Sequence, residues 1–515
     1  MSALVSFVGG DGVGPKVVDA AQRVITALDP RREIFRQASF PQLNTEAVVR
    51  AGNVDAVLTR DVIRQIRESA AVLFGSLGMP HLAKELQMIL GKKLIIELFR
   101  QGFENNVNCR PNSVFGECQI TRYAPTQHAI NLHVFEAVGI EETYSVGDKS
   151  GRSVNVTQTL DWKRYHDFAE TIAHSIANSG GQIALGHKAN VLEYLHGGIA
   201  ITAQRLTEKY RQIGFSKPLY DSFLAQLMRD PSQIEQHVVL DRVFAEILKP
   251  TLEVLNSGVT PGEIREGWQL VVMRENSQDL YTFNGHTHLN REATSADALD
   301  KTGTQYALHT EDMIARLIDA SIAEAIEQGR DELTIVTLRS VYPKVSDLWI
   351  TVAREKCETY GDFTCKVMEA PDFLKELVLD PTKVQGVFAM PNMLGDLLSD
   401  AVTGKNGGMG LAPSHCYLHD PLTNNAPVGP TVSESIGGSA VSPQGVVLKD
   451  PNPTATFLAL AMLLRHHGQA SLASRVENAI RKTFDQGIVT PDLAKPGQSS
   501  STTEQFTATV IKNLE

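Results

Sequence analysis

Three groups of residues in this chain have the types and spacing to do chemistry. The first is Gln182–Leu192, QIALGHKANVL, a short apolar run that reads as a strand delivering His187, Lys188, Ala189 and Asn190 to its end. The second is KLIIELFRQGFENNVNCR, in which Arg100 and Arg110 bracket a polar turn. Paired guanidinium groups form a natural fork for carboxylates, although two arginines can equally be ordinary surface charge. The third is PNMLGDLLSDAV, where Asp396 and Asp400 stand four apart and so project from one face of a helix. A fourth feature is a glycine turn. Leu4–Val8 is an apolar strand that runs into Gly9, Gly10, Asp11, Gly12, Val13, Gly14 and Pro15, after which Val17, Val18, Ala21 and Val24 take helical spacing. Glycines there let backbone N–H groups approach a phosphate or ribose, but the run is not G-x-G-x-x-G and could be only a tight turn.

The elements that must position these residues are written twice. Copy one holds HVFEAVGIEETY (residues 133–144) and an amphipathic helix with Trp162, Tyr165, Phe168, Ile172 and Ile176 on one face. The Lys188 strand, a helix and YDSFLAQLMRDP (residues 220–231) follow. Copy two repeats the order with QLVVMRENSQDLY (residues 269–281), a helix carrying Leu317, Ile318, Ile322 and Ile326, the strand TIVTLRSVYPK (residues 334–344) and PDFLKELVLDP (residues 371–381). By order and spacing, Arg339 stands opposite Lys188, Val341 opposite Asn190, and Pro371 opposite Asp221. Ile247 and Thr251 fall opposite Asp396 and Asp400, and Ala137 falls opposite Arg274. Each copy keeps what the other lost.

The division this implies is residues 1–108 with 409–515 as a large domain, 109–256 as copy one, 257–265 as a linker and 266–408 as copy two. The chain of 515 residues is 42% hydrophobic and 21% charged, ordinary for a globular enzyme. A net charge of −11 argues against nucleic acid or an anionic membrane as the main partner. Cys109, Cys118, Cys357, Cys365 and Cys416 are scattered, with no C-x-x-C pair, which suits a reducing cytoplasm rather than a disulfide or zinc framework.

Together these segments resemble the β-decarboxylating dehydrogenases, the isocitrate, isopropylmalate and tartrate dehydrogenase family. GDGVGP resembles its cofactor loop, LFRQGFENNVNCRP its double-arginine segment, RENSQDLY its Arg/Tyr segment, HKANVLE its lysine motif and NMLGDLLSD its aspartate helix. GGSA with NPTA, and TPDL with TEQFTATV, resemble its C-terminal cofactor region. The resemblance implies an α/β fold of the isopropylmalate dehydrogenase kind, with one large domain and two tandem small domains. It implies Lys188 and Tyr281 as catalytic residues and Arg100, Arg110, Arg274, Ile96, Asn190 and Val191 as substrate-binding residues. Gly10, Asp11, Gly12, Gly438, Ser439, Ala440 and Asn452 would hold the cofactor, and Asp221, Asp396 and Asp400 would hold Mg²⁺ or Mn²⁺. In such enzymes a homodimer shares its sites. Here copy one would stand in for the neighbouring subunit, and a monomer with an internal pseudo-dimer is expected.

The reaction so implied is the NAD- and metal-dependent oxidative decarboxylation of a 3-substituted malate, with Lys188 as a base of depressed pKa and Tyr281 as the acid. Leu94 and Ile96 replace the hydroxyl and amide of isocitrate readers, which favours an apolar substituent, while Glu97 admits a polar one. NAD is favoured over NADP, because no set of basic and tyrosine residues for a 2′-phosphate is visible. Ser442 and Gly437 nonetheless depart from the NAD pattern. Isocitrate- or tartrate-type chemistry, or a regulatory homologue without catalysis, are the alternatives.

Overall fold

The computed structural model describes residues 2–76, 78–79, 82, 85, 89, 103, 105–114, 133–137, 141–177, 181–235, 237–257, 259, 261–265, 267–282, 285–289, 297–419, 428–441, 445–495 and 497–514. The chain forms two compact units, one of residues 1–122, 264–271 and 406–515, the other of residues 123–263 and 272–405. Among the described residues, no helix is long and apolar enough to cross a membrane.

In the first unit the strands lie in the order Val107–Ser113, Pro413–Leu418, Val428–Ser435, Ala71–Phe74, Ala3–Val8 and Phe35–Ser39. The last four pair in parallel, and Pro413–Leu418 runs antiparallel to both its neighbours. Apolar side chains bury on both faces of this sheet. Phe7, Leu73, Phe457, Leu460, Ile480 and Phe506 fill one side, and Val72, Phe74, Ile66, Cys416 and Val432 the other. That is the doubly wound pattern, in which buried strands read as apolar runs. The terminal helix Thr503–Lys512 begins at a reciprocal cap between Thr502 and Gln505.

The second unit contains both copies. Copy one is a parallel sheet in the order His133–Glu136, His237–Leu240, Gln182–Leu185 and Gly214–Ser216. Copy two repeats it with Gln269–Glu275, Gly386–Met390, Glu332–Thr337 and Thr364–Glu369. The copies join through a second, antiparallel sheet to which each gives two strands. Its order is His286–Leu289, Lys301–Thr310, Ser153–Asp161 and Glu141–Gly147. The two inner strands pair from Ser153 opposite Thr310 to Asp161 opposite Thr302, with Thr157 meeting Tyr306 midway. The helices are exchanged in the same sense. Tyr220–Arg229 of copy one packs on Asn392–Lys405 of copy two, and Arg242–Asn256 packs on Ala370–Leu379. One copy therefore treats the other as a partner related by an approximate two-fold.

The helix caps set a register between the copies that differs from the one the sequence suggests. Leu192 and Tyr342 cap the equivalent helices Glu193–Lys209 and Pro343–Glu358, and Leu219 and Glu369 cap Tyr220–Arg229 and Ala370–Leu379. The turn that follows Lys188, with Val191 and Leu192 donating to the Lys188 carbonyl, recurs with Val341 and Tyr342 donating to Leu338. Lys188 is thus opposite Leu338, not Arg339, and Asn190 is opposite Ser340, not Val341. By the same register Pro391 is opposite Asp241, so Asp396 and Asp400 are opposite Glu246 and Pro250 rather than Ile247 and Thr251. Pro371 stays opposite Asp221. Ile247 and Thr251 are fully buried core residues.

Candidate active site

Lys188 leaves the strand Gln182–Leu185 in a turn closed on its own carbonyl. The neighbouring His187 is fixed through the backbone, its N–H donating to Pro218 and its carbonyl accepting from Tyr220. The Lys188 side chain is only 2% exposed. Its Nζ lies 2.8 Å from Asp221 Oδ2 and 2.8 Å from Asp396 Oδ2. Asp221 comes from the first turn of Tyr220–Arg229, while Asp396 and the buried Asp400 share one face of Asn392–Lys405. The lysine of copy one therefore bridges a carboxylate from each copy.

Copy two adds the second cation. Arg274, buried on Gln269–Glu275, donates from Nη1 to Asp396 Oδ1 at 2.5 Å and from Nε and Nη2 to Asn392 Oδ1 at 2.9 and 2.6 Å. Tyr281 sits beneath both charges, its ring centroid 5.6 Å from Lys188 Nζ and 6.0 Å from Arg274 Cζ. The loop that delivers Tyr281 is tied down by buried groups. Glu275 accepts from the Ser277 and Gln278 N–H groups, and Gln305 Nε2 donates to the Leu280 carbonyl. Asp279 takes φ of 82°, a left-handed conformation that costs a non-glycine residue energy. Its carboxylate holds the strained turn by accepting from Leu280 N at 2.6 Å and Met393 N at 2.9 Å. Asn392 and Asp279 were absent from the sequence expectations. Asn392 had a visible signal, standing one helical turn before Asp396; a buried Asp at positive φ has none in a single sequence.

The charges decide protonation states. Burial pulls the Lys188 pKa down, but the Asp396, Tyr281, Asp221 and Asp400 charges outweigh it and raise it well above the usual lysine value. This corrects the expectation of a depressed lysine: two carboxylates in contact hold the ammonium protonated. Burial also raises the Tyr281 phenol well above its usual range, with Lys188 opposing, so Tyr281 stays a proton donor.

The remaining expected residues divide by unit. Asn190 is exposed and Val191 half-buried on the Lys188 turn. Arg110 is buried on Val107–Ser113 of the first unit. Arg100 and Ile96, like Leu94, Glu97 and Ser442, lie outside the described residues. Within the first unit the two expected cofactor loops converge. The Val13 N–H donates to the Ser439 carbonyl, and Ser439 Oγ donates to the Gly78 carbonyl. Gly10 and Gly12 take positive φ of 71° and 54°, and a Cβ on Gly10 would lie 2.5 Å from the Ser76 carbonyl oxygen. Ala440 is left-handed at φ of 50°. Asp11 is used internally. Its carboxylate accepts from Thr45 N at 2.7 Å, Gly78 N at 2.8 Å and Thr45 Oγ1 at 2.5 Å, so it braces the loops. Asn452 braces the opposite side through Asp492, 3.1 Å away.

Metal binding has a mixed fit. Among the described residues no three carboxylate, histidine or cysteine side chains are gathered to hold an ion. Lys188 is the physical reason, since its ammonium lies between Asp221 and Asp396. The donor chemistry nonetheless suits a hard cation: the set is all carboxylate, and Asp221 keeps a buried Oδ1 with no hydrogen-bond partner.

The sequence model of the Isocitrate/isopropylmalate dehydrogenase family matches residues 4–255 and again residues 244–510. This chain belongs to that family. Its members are metal-dependent β-decarboxylating dehydrogenases, oxidoreductases that act on a CH–OH group with NAD(P). The double match is the duplication seen again, one family pattern entered once in each half. The isocitrate/homoisocitrate dehydrogenase of Thermus thermophilus is 30% identical over 258 residues, covering 50% of this chain and 68% of that protein. The 3-isopropylmalate dehydrogenase of Aquifex aeolicus is 27% identical over 272 residues, covering 51% and 67%. In fold, the chain matches the crystal structure of isocitrate dehydrogenase from Methylococcus capsulatus with a TM-score of 0.58, 19% identity and coverage of 100% and 99%. That likeness is one of fold and runs along the whole chain.

Proposed function

We propose that this chain catalyses NAD- and divalent-metal-dependent oxidative decarboxylation of a 3-substituted malate, with one composite site built from both copies. The observation that carries the reading is Lys188 of copy one placed between Asp221 and Asp396, over Tyr281 and beside Arg274 of copy two. In this reading Asp221 and Asp396, once engaged with a cation, would no longer hold Lys188 as an ammonium; the Nζ would shed its proton and, neutral, take the substrate hydroxyl proton, and Tyr281 Oη would return a proton to the carbon that has lost CO₂. Arg274 orients a substrate carboxylate, held in line by Asn392. Asp221, Asp396 and Asp400 would hold a divalent cation, which would supply Lewis acidity when bound. The nicotinamide supplies the hydride acceptor, and the open space around Gly438, where a Cβ would meet nothing within 4 Å, suits a ligand lying against the backbone. Roles for Arg100 and Arg110 as carboxylate forks, and for Gly10, Gly12, Ser439, Ala440 and Asn452 at the cofactor, rest on the family pattern.

The relatives named above act on isocitrate, homoisocitrate and 3-isopropylmalate by their names, all of them malates substituted at C3. Val191, half-buried beside Lys188, favours an apolar substituent. The test is NADH formation with Mg²⁺ or Mn²⁺ across alkyl- and arylalkyl-malates, isocitrate, tartrate and malate, each repeated with Lys188→Ala. Turnover of an alkyl- or arylalkyl-malate that vanishes in the variant supports the reading. Preference for isocitrate or tartrate would replace the substrate, and turnover that survives the variant would reject the site.

A further inference from the structure

The two side chains that copy one gives to the cluster, Lys188 and Asp221, stand in front of a single buried polar network. His196, on the helix Glu193–Lys209, accepts the Lys188 backbone N–H at Nδ1, 3.0 Å away. An N–H can only donate, so Nδ1 carries no proton and the neutral ring bears its hydrogen on Nε2. That Nε2 faces Asp241 Oδ2 at 3.6 Å. The Tyr220 hydroxyl donates to the same Asp241 oxygen. Asp241 Oδ1 accepts from Phe244 N at 2.9 Å and so caps Arg242–Asn256. Tyr220 stacks on Phe244 at 3.7 Å between centroids and meets the edge of His196 at 5.7 Å. His196, Asp241 and Tyr220 are at most 3% exposed.

We propose that His196, Asp241 and Tyr220 are positioning residues of the composite site, with Asp241 the common anchor that fixes Lys188 through His196 and Asp221 through the adjacent Tyr220. The inference rests on the assignment of Lys188 and Asp221 to the active site. Copy two is the internal control. It builds the same strands, helices and caps, yet has Ser346 for His196, Pro391 for Asp241 and Ala370 for Tyr220. The fold therefore does not need the network. It is absent from the copy that has Leu338 for Lys188 and Pro371 for Asp221, so network and site residues are kept or lost together. A buried carboxylate with two polar partners is costly to retain for packing alone. Holding a base and its neighbouring carboxylate in register is a physical reason to retain it.

The experiment uses the full chain and the 3-substituted malate that it turns over best. His196→Leu removes the acceptor and keeps bulk, His196→Asn restores an acceptor near the Nδ1 position, Tyr220→Phe removes one hydroxyl, and Lys188→Ala is the reference. Far-UV circular dichroism and melting curves report folding, and kcat is read separately from KM. The expected result for His196→Leu is a kcat lower by about 10- to 100-fold with KM within about two-fold, because the substrate carboxylates are held elsewhere. His196→Asn recovers most of that loss, and Tyr220→Phe, the mildest change, also lowers kcat. A folded His196→Leu with wild-type kcat, alongside an inactive Lys188→Ala, overturns this inference and leaves the site intact. Equal losses in His196→Leu and His196→Asn make the histidine a packing residue and also overturn it. An active Lys188→Ala instead removes the site assignment on which it rests.

Discussion

Lys188 carries more of the site than its charge. It neutralises Asp221 and Asp396, which belong to different copies and would otherwise repel across the junction. Removing it should cost in two ways. Lys188→Ala is expected to lower kcat by roughly 10²- to 10⁴-fold, the usual range for a positioned proton-transfer group. It should also destabilise the protein, because Asp221 loses its counter-ion and Asp396 is left with Arg274 alone. Steady-state kinetics and a melting curve on the same preparation read both effects. Tyr281→Phe keeps the ring between Lys188 and Arg274 but removes the proton donor. Its expected signature is consumption of substrate and NAD in the ordinary ratio with kcat lower by about 10²-fold, and little change in KM, checked by initial rates.

At the scale of elements, the site depends on how closely two helices approach. A Cβ placed on Gly404 of Asn392–Lys405 would lie 2.3 Å from the carbonyl oxygen and 2.7 Å from Cα of Ala225 on Tyr220–Arg229. These helices carry Asp396 and Asp400 on one side and Asp221 on the other. Gly404→Ala must push them apart, and overpacking of this kind costs about 1–3 kcal/mol. The expected outcome is a lower melting temperature together with a higher Mg²⁺ or Mn²⁺ requirement. An unchanged metal requirement would mean that Asp221 does not act with the other two carboxylates. The helices and strands were largely legible in the chain, because period-2 and helical apolar patterns mark them. The duplication was legible as well, because order and spacing repeat even where side chains do not. What could not be read was register. One residue of slip put Arg339 opposite Lys188, where the caps place Leu338. Nor was the His196–Asp241–Tyr220 network visible, since a histidine, an aspartate and a tyrosine far apart in sequence carry no common period; only the fold brings them together.

The whole molecule is a family fold in which the small domain occurs twice and pairs with itself through a shared four-stranded sheet and exchanged helices. Its loss of stability in acid follows in part from buried imidazoles. Burial lowers His187 to about 4 and His466 to about 4, against 6.5 for the free group. The unfolded chain then takes up protons before the folded one does. Stability from these groups is fully present above about pH 6.5 and is lost as pH falls towards 4, by on the order of 3 kcal/mol for each fully expressed shift. Melting curves between about pH 7.5 and 4.5 should fall through that window, and His187→Asn should flatten part of the fall if the residue folds in its place.

In the proposed function one chain holds a complete site. Mixing Lys188→Ala chains with Asp396→Asn chains, under conditions that let any subunits exchange and with the wild type as control, tests it most directly. Each variant lacks one half of the constellation and keeps the other. If Lys188 and Asp396 must come from the same chain, the mixture is expected to be as inactive as either variant alone while the wild type turns over. Recovered activity in the mixture would mean that the lysine of one chain reaches the aspartates of another, and would contradict the composite site.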